Sequence, residues 1–213
     1  MSRRTEQHPD LTDPRIGAPL FSTWRVGTPE RQVRTVEAIG STWERRPWPA
    51  DGLLGYHVYA GHDGSTLMHH SQWSGEHAFE AFVKTHRQER VDEIDTAVPG
   101  IERVGLGRYR RYRSLERAVG DVRVPGLIVT VRIDFEDGAG AGAGPEEWVD
   151  LVVKEGHAGL ISAHFHLSTD GGHVLNYAEW ESDQAYDDAL AVSGSDGATS
   201  GSRYRHALGL VPG

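Results

Sequence analysis

Two apolar patterns alternate along this chain: short runs dense in β-branched and aromatic residues, and longer stretches with apolar positions three or four apart. PLFSTWRV (19–26) reads as a strand, and Thr28-Pro29-Glu30-Arg31 then supplies a capping Thr and a first-turn Pro for a helix running toward residue 43. GLLGYHVYA (52–60) and STLMHHSQW (65–73) flank an Asp63-Gly64 turn and are expected to pair as a hairpin. Ser74 opens a further helical stretch, and IERVGLGRYRRYR (101–113) reads as a closing strand. The order is β-α-β-β-α-β.

The chain then repeats itself. At an offset of 107 positions Gly52-Leu53 matches Gly159-Leu160, His57 matches His164, Asp63-Gly64 matches Asp170-Gly171 and Trp73 matches Trp180, without a gap. Ala78 pairs with Ala185, and Phe79 with Tyr186. The second copy supplies a strand PGLIVTVRIDF (125–135), a helix from Pro145 through roughly Lys154, a hairpin of GLISAHFHL (159–167) and HVLNYAEW (173–180), a helix opened by Ser182, and a closing strand RYRHALGLV (203–211). The fold class expected is α+β, two tandem ferredoxin-like β-α-β-β-α-β units whose helices cover one sheet face. The uncovered faces would pack on each other, giving a pseudo-dimeric α+β barrel. The domains expected are a disordered N-terminal tail (1–18), a first unit (19–113), a linker (114–124) and a second unit (125–213). GAGAGAG (138–144) lacks the Lys-Ser/Thr of a phosphate loop and is read as a flexible loop, as is SGSDGATSGS (193–202).

Composition narrows the chemistry. A net charge of −9 over 213 residues, with no dominant basic stretch, argues against nucleic acid as a partner. The absence of Cys removes disulfides, thiolate metal sites and a cysteine nucleophile. No run approaches the roughly 20 apolar residues of a membrane-spanning helix and the N-terminus has no apolar signal core, so a soluble cytoplasmic protein is expected.

Asn176 and Trp180 lie four apart on one strand and therefore share a sheet face, and Tyr186 lies in the first turns of the next helix, where it can fold back over that face. An amide, an indole N–H and a phenol converging between flat rings suit a planar phenolic or quinone-like molecule. The alternative is a core Trp with an Asn satisfying backbone groups. Asn176-x-x-x-Trp180-x-x-x-x-x-Tyr186, in the context NYAEWESDQAY, resembles the strand-to-helix signature of the antibiotic-biosynthesis monooxygenases. The resemblance runs from about residue 19 to the C-terminus. It implies a dimeric or tandem α+β barrel that oxidises aromatic polyketide phenols or anthrones with O₂, needing neither metal nor prosthetic group. The family also has haem-degrading members and tandem members that open polycyclic rings with diffusible reduced flavin.

By that resemblance Asn176 and Trp180 bind the substrate oxygens and stabilise its phenolate or enolate. Tyr186 orients the substrate or relays a proton, and Arg203 or Arg205 holds the anion. The first copy departs from the pattern, since His69 stands at the position of Asn176 and Phe79 at that of Tyr186, while Trp73 is kept. Its pocket is read as degenerate, the alternative being that His69 is a base. His164 and His166, two apart on a strand, are read as lining the pocket rather than binding metal, since no carboxylate sits at a telling spacing. His86 follows Trp73 too closely for the axial ligand of the haem-degrading relatives. The leading expectation is thus a cofactor-independent oxygenase of an aromatic polyketide with its working pocket in the C-terminal half. A reduced-flavin-assisted ring-cleaving oxygenase and a non-catalytic, cyclase-like polyketide binder are the alternatives, and association of two copies remains open.

Overall fold

The structure, a computed structural model, describes residues 1–49, 52–118, 120–135, 146, 149–150, 157–193 and 201–213. Its strands are β1 (Ser2–Thr5), β2 (Ala18–Arg25), β3 (Leu53–Gly61), β4 (Thr66–Trp73), β5 (Glu102–Leu115), β6 (Leu127–Asp134), β7 (Leu160–Ser168), β8 (His173–Trp180) and β9 (Ser202–Pro212). Its helices are α1 (Pro29–Glu44), α2 (Glu76–Phe82), α3 (Gln88–Ala97) and α4 (Asp183–Ser193), with a π-helical turn, Val83–Arg87, joining α2 to α3. The helix expected from Pro145 and the loops expected at 138–144 and 193–202 fall wholly or largely outside the described residues.

Local chemistry starts α1 where the sequence places it. Thr28 is extended and accepts a hydrogen bond from the Arg31 N–H at 3.3 Å, with Pro29 as the first helical residue. Gln32, Thr35, Ile39 and Trp43 form its buried stripe. Gln32 donates to the carbonyls of Gly61 (3.0 Å) and Thr66 (2.7 Å), fastening the helix to the β3–β4 hairpin. In the hairpin turn Asp63 accepts from the Ser65 and Thr66 N–H groups at 2.7 and 2.9 Å.

The chain divides into two compact units. Met1–Arg108 with Arg205–Gly213 forms the first, and Tyr109–Tyr204 the second. In the first the strand order is β1-β9-β3-β4-β2-β5, and in the second β5-β7-β8-β6-β9. This corrects the expected fold class. Two tandem ferredoxin-like units, each closing a sheet of its own and joined as a pseudo-dimer, are not what forms: β5 and β9 are each divided between the two units, so neither unit is built from one continuous half of the chain. The physical reason lies in strand length. β5 has 14 residues and β9 has 11. Such strands carry more unpaired N–H and C=O groups than one neighbour satisfies. Accordingly Glu102–Arg108 pairs with β2, and Tyr109–Leu115 with β7.

The segment expected as a disordered tail contains β1, which pairs with β9 from Ser2↔Pro212 to Thr5↔Gly209, and Leu11 is buried. β8 is buried at all eight positions and β7 at eight of nine, so neither shows the half-exposed alternation of a solvent-facing strand. Among the described residues no helix is long and apolar enough to cross a membrane.

Gly52 and Gly159, matched in the sequence, meet matched neighbours. Gly52 has φ +122° and Gly159 φ +84°, and a Cβ on either would stand 2.5 Å from the Cβ of Ala78 or Ala185 respectively. Gly159→Ala therefore combines left-handed strain with a steric clash and is expected to cost about 1–3 kcal/mol. Thermal melting should fall by roughly 2–4 °C per kcal/mol. An unchanged melting temperature would refute this account of the glycine.

Candidate active site

In the first unit, α1, α2 and α3 enclose a cavity of about 300 Å³ against the sheet face they cover. The period-2 alternation of β4 turns His69, Ser71 and Trp73 onto this face, and β2 contributes Leu20, Ser22 and Trp24. Tyr56 from β3 and Arg103 from β5 complete the floor, while Trp43, Phe82 and Arg90 come from the helices. The π-helical turn sits in this wall, ending at Arg87, which also lines the cavity. Such turns occur often at functional sites because the inserted residue re-aims the side chains that follow.

His69 is the chemical centre of this cavity. It is 3% exposed, its Nδ1 lies 2.6 Å from the Tyr56 hydroxyl, and its ring packs 4.1 Å from that of Trp24. Its Nε2 is buried with no hydrogen-bond partner. Burial, and then the positive charge of Arg103, push its pKa down to about 3, so the imidazole is neutral at physiological pH. Burial also raises the pKa of Tyr56, which stays a phenol. One ring nitrogen is thereby fixed by Tyr56 and the other is left for a ligand, while Trp73 keeps its own indole N–H on Ser71 at 2.9 Å.

In the second unit, β8 and α4 place Asn176, Trp180 and Tyr186 on the helix-covered face. Trp180 and Tyr186 stack edge to face at 5.1 Å, and the Gly201 N–H donates to the Tyr186 hydroxyl at 3.1 Å. Asn176 and Trp180 are buried, and the Asn176 Oδ1 and the Trp180 indole N–H have no partner. Arg203 lies 4.9 Å over the Tyr186 ring and is neutralised by Asp187 (2.5 Å) and Asp183 (3.7 Å), whereas Arg205 is exposed. His164 and His166 are not brought to Asn176. Asn176 lies opposite Phe165 in the β7–β8 ladder, which turns both histidines to the other face. There His164 is held by Ser114 (3.0 Å) and Ser162 (3.1 Å), and Ser162 donates to Glu179, the ion-pair partner of Arg117.

No protein-family profile matches the chain, and no curated protein matches it in sequence. Solved structures do. The chain shares its fold with an anthrone oxidase-like protein. That likeness has a TM-score of 0.65 and covers 98% of this chain and 95% of the other, at 14% identity. A monooxygenase candidate from Fusobacterium nucleatum is similar at a TM-score of 0.51 and 10% identity, over 90% of this chain and 93% of its own. One from Lactobacillus acidophilus is similar at 0.53 and 10%, over 90% and 95%. At these identities the shared property is the fold.

Sequence reasoning named His69 and Trp73 but passed over Trp24, Trp43, Tyr56, Arg90 and Arg103. Tyr56 carries no signal in the repeat, because Ala163 stands at its equivalent position. The Trp24–Arg103 contact, with the guanidinium 4.4 Å over the indole, depends on the β2–β5 register that sets the two residues opposite each other. His86, considered as a haem ligand, is exposed. Among the described residues no three His, Asp or Glu side chains group as a metal site.

Proposed function

We propose that this protein is an oxygenase that oxidises an aromatic polyketide phenol or anthrone with O₂, and that the first unit's cavity is its working site. The observation that carries the reading is His69: a neutral buried imidazole with one nitrogen held by Tyr56 and the other unpartnered, in a cavity walled by tryptophans. The fold shared with an anthrone oxidase-like protein supports it. His69 Nε2 takes a proton from the substrate, and the resulting carbanion or phenolate is the reductant. It passes an electron to O₂, the radical pair recombines as a carbon-bound hydroperoxide, and loss of water leaves a carbonyl. For an anthrone the CH₂ and O₂ become C=O and H₂O. The protein contributes orientation, exclusion of water and stabilisation of the anion by Arg103 and the imidazolium formed on His69.

A second reading places the chemistry at Asn176 and Trp180, favoured by their unpartnered buried polar atoms. Oxygen consumption with a panel of anthrones and hydroxylated polycyclic phenols separates the two. Uptake lost in His69→Ala and kept in Asn176→Ala supports the first cavity, and the reverse supports the second. Uptake that requires added reduced flavin favours ring cleavage, and no uptake from any substrate overturns the oxygenase reading.

A further inference from the structure

Arg90 is 3% exposed and forms no ion pair among the described residues; Glu89 and Glu93, which pair with Arg46, act on its charge only through space. Its two terminal nitrogens donate to the carbonyls of His86 (3.0 Å) and Pro47 (2.8 Å), its Nε is buried without a partner, and its guanidinium lies 4.7 Å over the Trp43 ring. Carbonyls and a ring face satisfy hydrogen bonds but do not cancel a charge, and an unpaired buried cation is costly to keep. Arg103 repeats the pattern in part, with its terminal nitrogens on Asp95 (2.8 and 3.1 Å) and its Nε buried and unpartnered. Arg87, Arg90 and Arg103 all line this cavity, and among the described residues no Asp or Glu does. In a chain with a net charge of −9, the charged side chains among the described lining residues are thus all arginines, of which Arg103 is paired with Asp95 behind the wall.

We propose that the substrate is an aromatic carboxylate, whose flat rings lie among Trp24, Trp43 and Phe82 and whose carboxylate is bound by Arg90 and Arg103. The cation that the fold leaves unpaired then becomes the specificity determinant, because guanidinium and carboxylate form charge-assisted hydrogen bonds stronger than neutral ones. At about 300 Å³ the cavity stands at the small end of ligand pockets. A compact fused-ring acid fits that size. The assignment rests on the proposed oxygenase reading for its site, and it adds the charge of the molecule turned over.

The test is direct binding of a ring-matched pair, a hydroxynaphthoate and the corresponding naphthol, followed by titration calorimetry with the full chain. The wild type should bind the acid roughly 10- to 100-fold more tightly than the naphthol. Arg90→Met should abolish that preference and leave naphthol affinity within about twofold, with Arg90→Lys restoring part of it. Should Arg90→Met fail to fold, Arg103→Met, from a less buried position, should likewise reduce the preference for the acid over the naphthol. Equal affinity for acid and naphthol in the wild type overturns the assignment, as does a preference that survives both Met variants. Oxygen uptake, measured separately, keeps the two readings apart. Arginine-dependent acid binding without uptake refutes the oxygenase and retains the carboxylate site, and uptake from neutral phenols with no acid preference does the converse.

Discussion

His69→Ala is expected to lower oxygen consumption by about 10²- to 10⁴-fold, the usual range for removal of a general base. The loss should fall on kcat and kcat/KM together, because the proton transfer is made in the transition state and the ring walls that bind substrate remain. Burial and Arg103 hold the imidazole's pKa at about 3 in the free protein. A base works above its pKa. His69 therefore imposes no acid limb on kcat/KM near pH 6.5, and the profile should stay flat with respect to this group from pH 8 down to about 5. Tyr56→Phe removes the hydroxyl 2.6 Å from Nδ1 and should cost less, roughly 10-fold, since it acts by positioning the ring. A His69→Ala protein that keeps full turnover, with a melting temperature showing that it is folded, would move the chemistry out of this cavity.

Stability is expected to fall steeply as the pH drops below about 6.5, well before carboxylates begin to protonate. His57, His69 and His166 are each at most 3% exposed, and burial holds the pKa of each at about 3, with His206 adding to the effect on His57, Arg103 on His69 and His164 on His166. In the unfolded chain the same groups titrate near 6.5. Between these values the unfolded state binds protons that the folded state refuses, so unfolding becomes more favourable as pH falls. Each histidine contributes about 1.4 kcal/mol per pH unit below 6.5, and three contribute on the order of 4 kcal/mol per pH unit. Against a total stability of about 5–15 kcal/mol, folding should be lost within a few pH units. The carboxylates with lowered pKa, among them Glu37 and Asp63, act in the same direction but only below about pH 4.5. Denaturant midpoints at pH 7.5, 6.5 and 5.5 check this. A flat series would mean that these imidazoles are not held neutral, and His166→Gln should shallow the slope by about a third.

Much of the local structure was legible in the chain. Thr28-Pro29 marked the start of α1, Asp63-Gly64 and Asp170-Gly171 marked the hairpin turns, and the match of Gly52 with Gly159 marked two positions where the backbone passes within a methyl group of a helix. These signals are local, set by capping, by backbone torsion and by the lack of a Cβ. The closing strands were legible as strands too. Their partners were not, because alternation shows that a segment is extended and says nothing about which edge will satisfy its second row of hydrogen bonds.

For the site, the sequence by itself determined which residues could do chemistry: a Trp at each strand end, His69 and Asn176 at matched positions, and no thiol anywhere. Tertiary structure decided what they face. The β3–β4 register set Tyr56 beside His69, the β2–β5 register laid Arg103 over Trp24, and α3 carried Arg90 into the cavity wall over the Trp43 ring without an ion pair among the described residues. The β7–β8 register turned His164 and His166 away from Asn176. These pairings join residues far apart in the chain, and their energies come from burial and from charge in a dry interior, quantities that exist only once the sheet and helices have closed around them.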